Sequence, residues 1–208
     1  RHQGRLSAPA VDGDQARAQD VAQQLADHVY AMRETLAPPM FSIEAALEAA
    51  VEAENKPVVI ADTSDNAGGG AASDSTFFLA ALLSKGMDNA VIGPLWDPVA
   101  VKMAVLAGEG ASLSLRVGGK VGPLSGDPID GTWTVCSVRR RHKVTGLGGV
   151  PVDMGDCAIV ETGGVKVLLT SKRAQAMHPD LFTRMGLDLE ALDIAVVKST
   201  QHFRAAFE

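Results

Sequence analysis

Two short apolar runs, each passing at once into polar residues and then into a helical pattern, constrain this chain more than any other feature. The first is "PVVIAD", Pro57 to Asp62, β-branched and apolar on successive positions, which suits a strand covered on both faces as in a parallel sheet. It continues into "TSDNAGGGAASDS", and Asp74 or Ser75 is expected to start a helix through "TFFLAALLSKG" that Gly86 closes. The second run is "AVIGPLW", Ala90 to Trp96, followed by Asp97-Pro98 and "VAVKMAVLAG". Aspartate at a cap with proline at the first helical position is a strong start signal. Strand, helix, strand, helix at these spacings predicts a βαβ unit with a right-handed crossover.

The flanking segments read differently. Residues 1–13 show no periodicity and read as an incoming loop. From Asp14 a helical stripe runs through Val21, Leu25, Val29, Met32 and Leu36, ended by Pro38 and Pro39. Ser42 can cap a second helix whose apolar stripe is Ile43, Leu47, Ala50 and Val51. After Gly110 the runs "ASLSLRVGGK", "GTWTVCSVRRRHK", "DCAIVETGG" and "VKVLLTSKR" are β-rich, with a tight hairpin predicted at Gly163-Gly164. "HPDLFTRMGLD" then reads as a short helix, "LDIAVVKS" as a buried strand, and "QHFRAAF" as a helix start. The fold class is therefore α/β, three-layered, with a mostly parallel sheet, βαβ units and an antiparallel β excursion over about residues 111–173. Residues 57–208 form the α/β domain, and residues 1–56 read as a loop and two helices leading in from a further domain.

Composition excludes several functions. With 46% hydrophobic residues, 21% charged residues and a net charge of −6, the chain can build one core but is not suited to gripping nucleic acid by counterion release. The basic run "RRRHK", Arg139 to Lys143, reads as a solvated strand end or hairpin. Cys136 and Cys157 form no CxxC and read as buried small hydrophobes of a reducing compartment. No apolar segment reaches the ~20 residues of a membrane span. No signal segment opens the sequence, so a cytoplasmic location is expected. The start at Arg1 and the end at "HFRAAFE" suggest a piece of something longer.

In open α/β sheets ligands gather beyond the carboxyl ends of the strands. Three predicted strands finish there with polar chemistry: Asp62 to Gly70, Trp96-Asp97, and Lys198 to Phe203, with Thr170 to Arg173 as a further candidate. The glycines permit positive φ and close backbone approach, so successive N–H groups could face an anion or a carbonyl oxygen. No Walker or GxGxxG order is present, and Asp62 and Asp65 would repel a phosphate unless Lys198 or a metal lay between. The competing reading of Asp65-Asn66 is an Asx-turn that only shapes the loop. His202, at a strand-to-helix junction, is the most chemical histidine, against the plainer reading of a helix cap. His28 and His178 read as surface or turn residues. There is no HExxH, no histidine pair at i,i+4 and no cysteine cluster, so no zinc set is legible.

Five ordered motifs, "ADTSDNAGGGAASDST", "GPLWDPVAV", "LRVGGK", "LLTSKRAQ" and "VVKSTQHFRAAF", resemble the C-terminal domain of the microcystinase C (MlrC) family of metallopeptidase-like hydrolases. The likeness covers about Pro57 to Phe207. The family pattern has proline where Ala67 stands and Pro-Gly where Ala72-Ser73 stand. The resemblance implies peptide-bond hydrolysis of small linear peptides by a two-part enzyme, with zinc held by an N-terminal domain and no metal ligand in this chain. It implies Asp62, Asn66, Gly68, Gly69, Gly70, Lys198, Ser199 and Gln201 as substrate-side residues. Asp65 and His202 are the catalytic candidates: Asp65 or Asp62 would orient the water or bind a peptide amine, and His202 or Lys198 would hold a carboxylate. The partners implied are the rest of the same chain and a peptide substrate, with neither nucleic acid nor membrane; a homo-oligomer stays open. Two alternatives stand beside this: a non-catalytic domain whose polar loops dock on a partner domain, and a phosphate-binding α/β module.

Overall fold

The computed structural model describes residues 13–36 and 40–207. They fall into two units, the second beginning at Ser42. In the first unit, helix α1 spans Gln15–Ala31, capped by the Asp14 carboxylate, which accepts from Arg17 N. It stops before Leu36, and none of its residues is buried; Leu25 and Val29 of the predicted stripe are exposed. The expected stop at Pro38 and Pro39 and, apart from Gly13, the expected loop over residues 1–13 lie outside the described residues.

The second unit holds a seven-stranded sheet in the order β1-β7-β2-β6-β5-β4-β3. Strands β1 (Val58–Ala61), β7 (Ile194–Val197), β2 (Ala90–Trp96) and β6 (Val165–Thr170) form a parallel block. Strands β5 (Pro151–Thr162), β4 (Ile129–Thr145) and β3 (Ser112–Val117) extend it antiparallel from β6. The α/β class, the parallel block and the antiparallel excursion match the sequence reading. Strand β7 separates β1 from β2, so the two strands of the predicted βαβ unit are next-nearest neighbours. Thr162 pairs with Val165 across Gly163 and Gly164, both at positive φ, which gives the predicted two-residue hairpin.

Helices cover both faces. On one, Leu47 of α2 (Ile43–Glu52), Leu79 and Leu82 of α3 (Phe77–Ser84), and Val101 and Ala104 of α4 (Pro98–Ala107) join a core with Ile60, Ile92, Val167 and Val196. On the other, Leu181 and Phe182 of α5 (Asp180–Thr183), with Met185 and Phe203, pack among Val91, Ile159, Leu168 and Val197. The full burial of β7 explains its unbroken apolar run, because alternate residues enter opposite cores. A short helix α6 (Arg204–Phe207) ends the described chain. No helix among the described residues is long and apolar enough to cross a membrane.

Four local expectations need correction. Val51 is exposed, because Ile43, Leu47 and Ala50 of the α2 stripe face the core and Val51 turns away from it. Cys136 is exposed while Cys157 is buried, since residues of β4 alternate between faces. His142 is buried within the basic run: register irregularities around Arg141, at φ 51, turn it inward while Arg139 to Arg141 stay in solvent. Helix α3 begins at Phe77, not at Asp74 or Ser75, because tertiary contacts claim the Asp74 carboxylate.

Candidate functional site

The four parallel strands end toward the same edge of the sheet, its rim, in two steps. Ala61 pairs with Val197, so Asp62 and Lys198 emerge side by side; β2 runs three residues past its Gly93–Val197 pair to Trp96, which pairs with Thr170, so Asp97 and Ser171 emerge together farther out. Lys198 is fully buried. Its ammonium donates to Asp62 Oδ2 at 2.9 Å, Asp65 Oδ2 at 2.7 Å and the Ser75 carbonyl at 3.0 Å. Those are its three donors, all used. A buried cation is tolerable only with such complete compensation. Asp65 also accepts from Ser73 N at 2.6 Å and Ser75 N at 2.8 Å, so each of its oxygens is engaged and the residue is 5% exposed. Lys198 thus ties the loop after β1 to the end of β7.

A second tie lies beside it. Asn66 donates from Nδ2 to Thr200 Oγ1 at 2.8 Å and accepts from Gly68 N at 2.9 Å. It caps a single 3-10 turn, Ala67–Gly69. Gly69 N and Ala71 N bond to the Asn66 carbonyl, and Gly70 N bonds to that of Ala67. The backbone N–H groups of residues 68 to 71 are therefore all used inside the loop. This corrects the idea that they face a substrate oxygen or an anion. The glycines serve the turn itself: Gly70 sits at φ 94, and Gly68 lies so close to Gln175 that an added Cβ would meet Oε1 at 2.0 Å.

The segment after β6 supplies the third tie. Gln175 is 7% exposed; its Nε2 donates to Ser199 Oγ at 2.9 Å and lies 3.1 Å from His202 Nδ1. Arg173 donates to the Ala71 carbonyl at 3.0 Å. A parallel construction sits at the end of β2. Asp97 caps α4 through Ala100 N, accepts from Gly118 N, and binds the Lys120 ammonium at 2.6 and 2.8 Å. Asp74 accepts from Lys120 N and Val121 N and from the Ser125 hydroxyl, which fixes the β3–β4 connection against the rim.

The structure therefore brings all ten residues singled out from the sequence to one rim, in two layers. Asp62, Asp65, Asn66, Lys198 and Ser199 are buried and bind one another or the loops. Gly68, Gly69, Gly70, Gln201 and His202 are exposed. Gln175, Thr200 and Lys120 were not singled out; only the polar run that follows β6 hinted at Gln175. Among the described residues no group of three or more His, Cys, Asp or Glu side chains could hold a metal ion. Asp62 and Asp65 do not fit one, because the Lys198 ammonium already lies against both.

With this geometry, the likenesses to known proteins are informative. Residues 60–208 match the model of the MlrC C-terminus. The chain is 34% identical over 207 residues to microcystinase C of Sphingomonas sp., a match that takes in 95% of this chain and 39% of that protein. The crystal structure of a metallopeptidase-like protein from Mesorhizobium sp. BNC1 superposes with a TM-score of 0.79 at 26% identity, over 91% of this chain and 39% of its own. The chain thus spans about two fifths of the length of each of these relatives. It belongs to the MlrC family and corresponds to that family's C-terminal domain.

Proposed function

We propose that this chain forms the substrate-side wall of a metal-dependent hydrolase of peptide or amide bonds, with zinc held by a part of the longer protein outside residues 1–208. The relatives' names support hydrolase chemistry on a metal. One observation carries the local part of the reading: three segments far apart in sequence are hydrogen-bonded into a single rim that leaves His202 and Gln201 facing outward. In this reading His202 and Gln201, beside the Gly68–Gly70 turn, contact a small linear peptide in a cytoplasmic setting. Asp62, Asp65, Lys198 and Ser199 position them. Asp65 then acts through the loop it holds, because its own oxygens are engaged. The chain alone would be inactive.

The test is turnover of short linear peptides by the full-length protein. Chelation should abolish it, and His202→Ala should lower it about tenfold or more, the scale of one lost transition-state contact. Undiminished turnover in His202→Ala would remove the assigned role.

A second reading, a docking surface without substrate contact, is favoured by the internally bonded N–H groups of the glycine turn. Gly69→Ala separates the two, since the new methyl meets nothing closer than 3.8 Å. A changed KM with unchanged Tm supports substrate contact; a lowered Tm of the full-length protein with unchanged KM supports docking.

A further inference from the structure

The geometry points to Gln175 as a positioning residue that holds His202 as its Nε2–H tautomer, with that N–H directed away from the rim core. The inference rests on the reading of His202 given above. An imidazole has two nitrogens, and its neutral form places the proton on only one of them. Which one is protonated follows from the bond that the other makes. The Gln175 amide nitrogen can only donate. It carries two hydrogens and has two partners, Ser199 Oγ at 2.9 Å and His202 Nδ1 at 3.1 Å. His202 Nδ1 must then accept, which leaves the proton on Nε2.

The side chain is enclosed: Gln175 is 7% exposed, lies five residues beyond the end of β6, and has its amide against Gly68. Ser199 is fully buried at the end of β7. Any side chain at position 68 would push the amide aside, so the glycine requirement there and the histidine tautomer have one physical origin. Exposed imidazole backed by a buried amide is a donor of fixed direction, suited to a carboxylate or carbonyl oxygen of a substrate. It is not suited to taking a proton at Nδ1.

The experiment uses the full-length protein labelled with 15N-histidine, with His202→Ala to identify the His202 ring signals. Long-range 1H–15N correlation at a pH where the ring is neutral should show Nδ1 unprotonated and Nε2 protonated. Gln175→Glu keeps the shape but replaces the donor by an acceptor, and should move the proton to Nδ1. Gln175→Met keeps the volume, removes the donor, and should give a mixture of tautomers. Wild-type protein with the proton on Nδ1, or a tautomer unaffected by both variants, overturns the inference. If Gln175→Glu moves the proton while peptide turnover is unchanged, the tautomer assignment stands and the hydrolytic role of His202 falls.

Discussion

At the carboxyl end of the parallel strands Lys198 is wholly buried between Asp62 and Asp65; on the antiparallel edge Arg116 and Asp130 make two hydrogen bonds with both side chains more than half exposed. The distances are nearly the same, 2.7 to 2.9 Å in both places. What differs is the solvent. In water an ion pair gains little, because each charge is already well solvated. In the interior each charge depends on its partners, and removing one leaves the others uncompensated. Equal geometry therefore marks a structural keystone in one half of the sheet and an incidental contact in the other.

The largest effect should follow Lys198→Met, which strands two buried carboxylates; we expect a loss of about 3–5 kcal/mol in denaturant unfolding. Gly68→Ala comes next: its methyl displaces the Gln175 amide, a crowding worth about 1–3 kcal/mol. Ser73 gives a finer test. It stands at φ 65 where the family pattern has glycine, and its hydroxyl donates to the Pro94 carbonyl at 3.2 Å. Both Ser73→Ala and Ser73→Gly lose that bond, but only alanine keeps a Cβ in the left-handed region, so Ser73→Ala should be about 1–2 kcal/mol less stable than Ser73→Gly.

His142 probes the antiparallel half from inside. It is 1% exposed, and its Nε2 meets the Leu181 carbonyl at 3.1 Å while Nδ1 has no partner among the described residues. Burial pushes its pKa below the ordinary 6.5, so below that pH the unfolded chain binds a proton that the folded one does not. This contribution to stability is present above pH 6.5 and is lost as pH falls toward the lower folded value. Tm should therefore drop less between pH 7.5 and about pH 5.5 in His142→Gln than in the wild type. Arg116→Ala should do least. The guanidinium hydrogen-bonded to Asp130 holds that carboxyl below its usual range, yet solvent screens the pair and Tm should hardly move. A drop matching that of Lys198→Met would break the comparison between the halves.

Features governed by neighbours in sequence were legible in advance. The β2 run, the Asp97-Pro98 start of α4 and the Gly163-Gly164 hairpin all rest on residues a few positions apart. The convergence of residues 62–70 with 198–202 followed from the general placement of loops at strand ends and from the family likeness. What escaped were competitions between distant groups. Asp74 looks like a helix cap, but the β3–β4 connection offers it two N–H groups and a hydroxyl, so α3 starts at Phe77. Three glycines suggest free N–H donors, but the Asn66 side chain and carbonyl take most of them. Gln175 was hidden for the same reason, since its partners lie 24 and 27 residues away.

The central claim is that Lys198 and the carboxylates after β1 stabilise one another as a unit that builds the rim. A double-mutant cycle on the protein with Asp65→Asn, Lys198→Met and both together measures this directly. The account predicts strong non-additivity, with the double variant about 2 kcal/mol or more better than the sum of the single losses. Losses that add to within about 0.5 kcal/mol would contradict it.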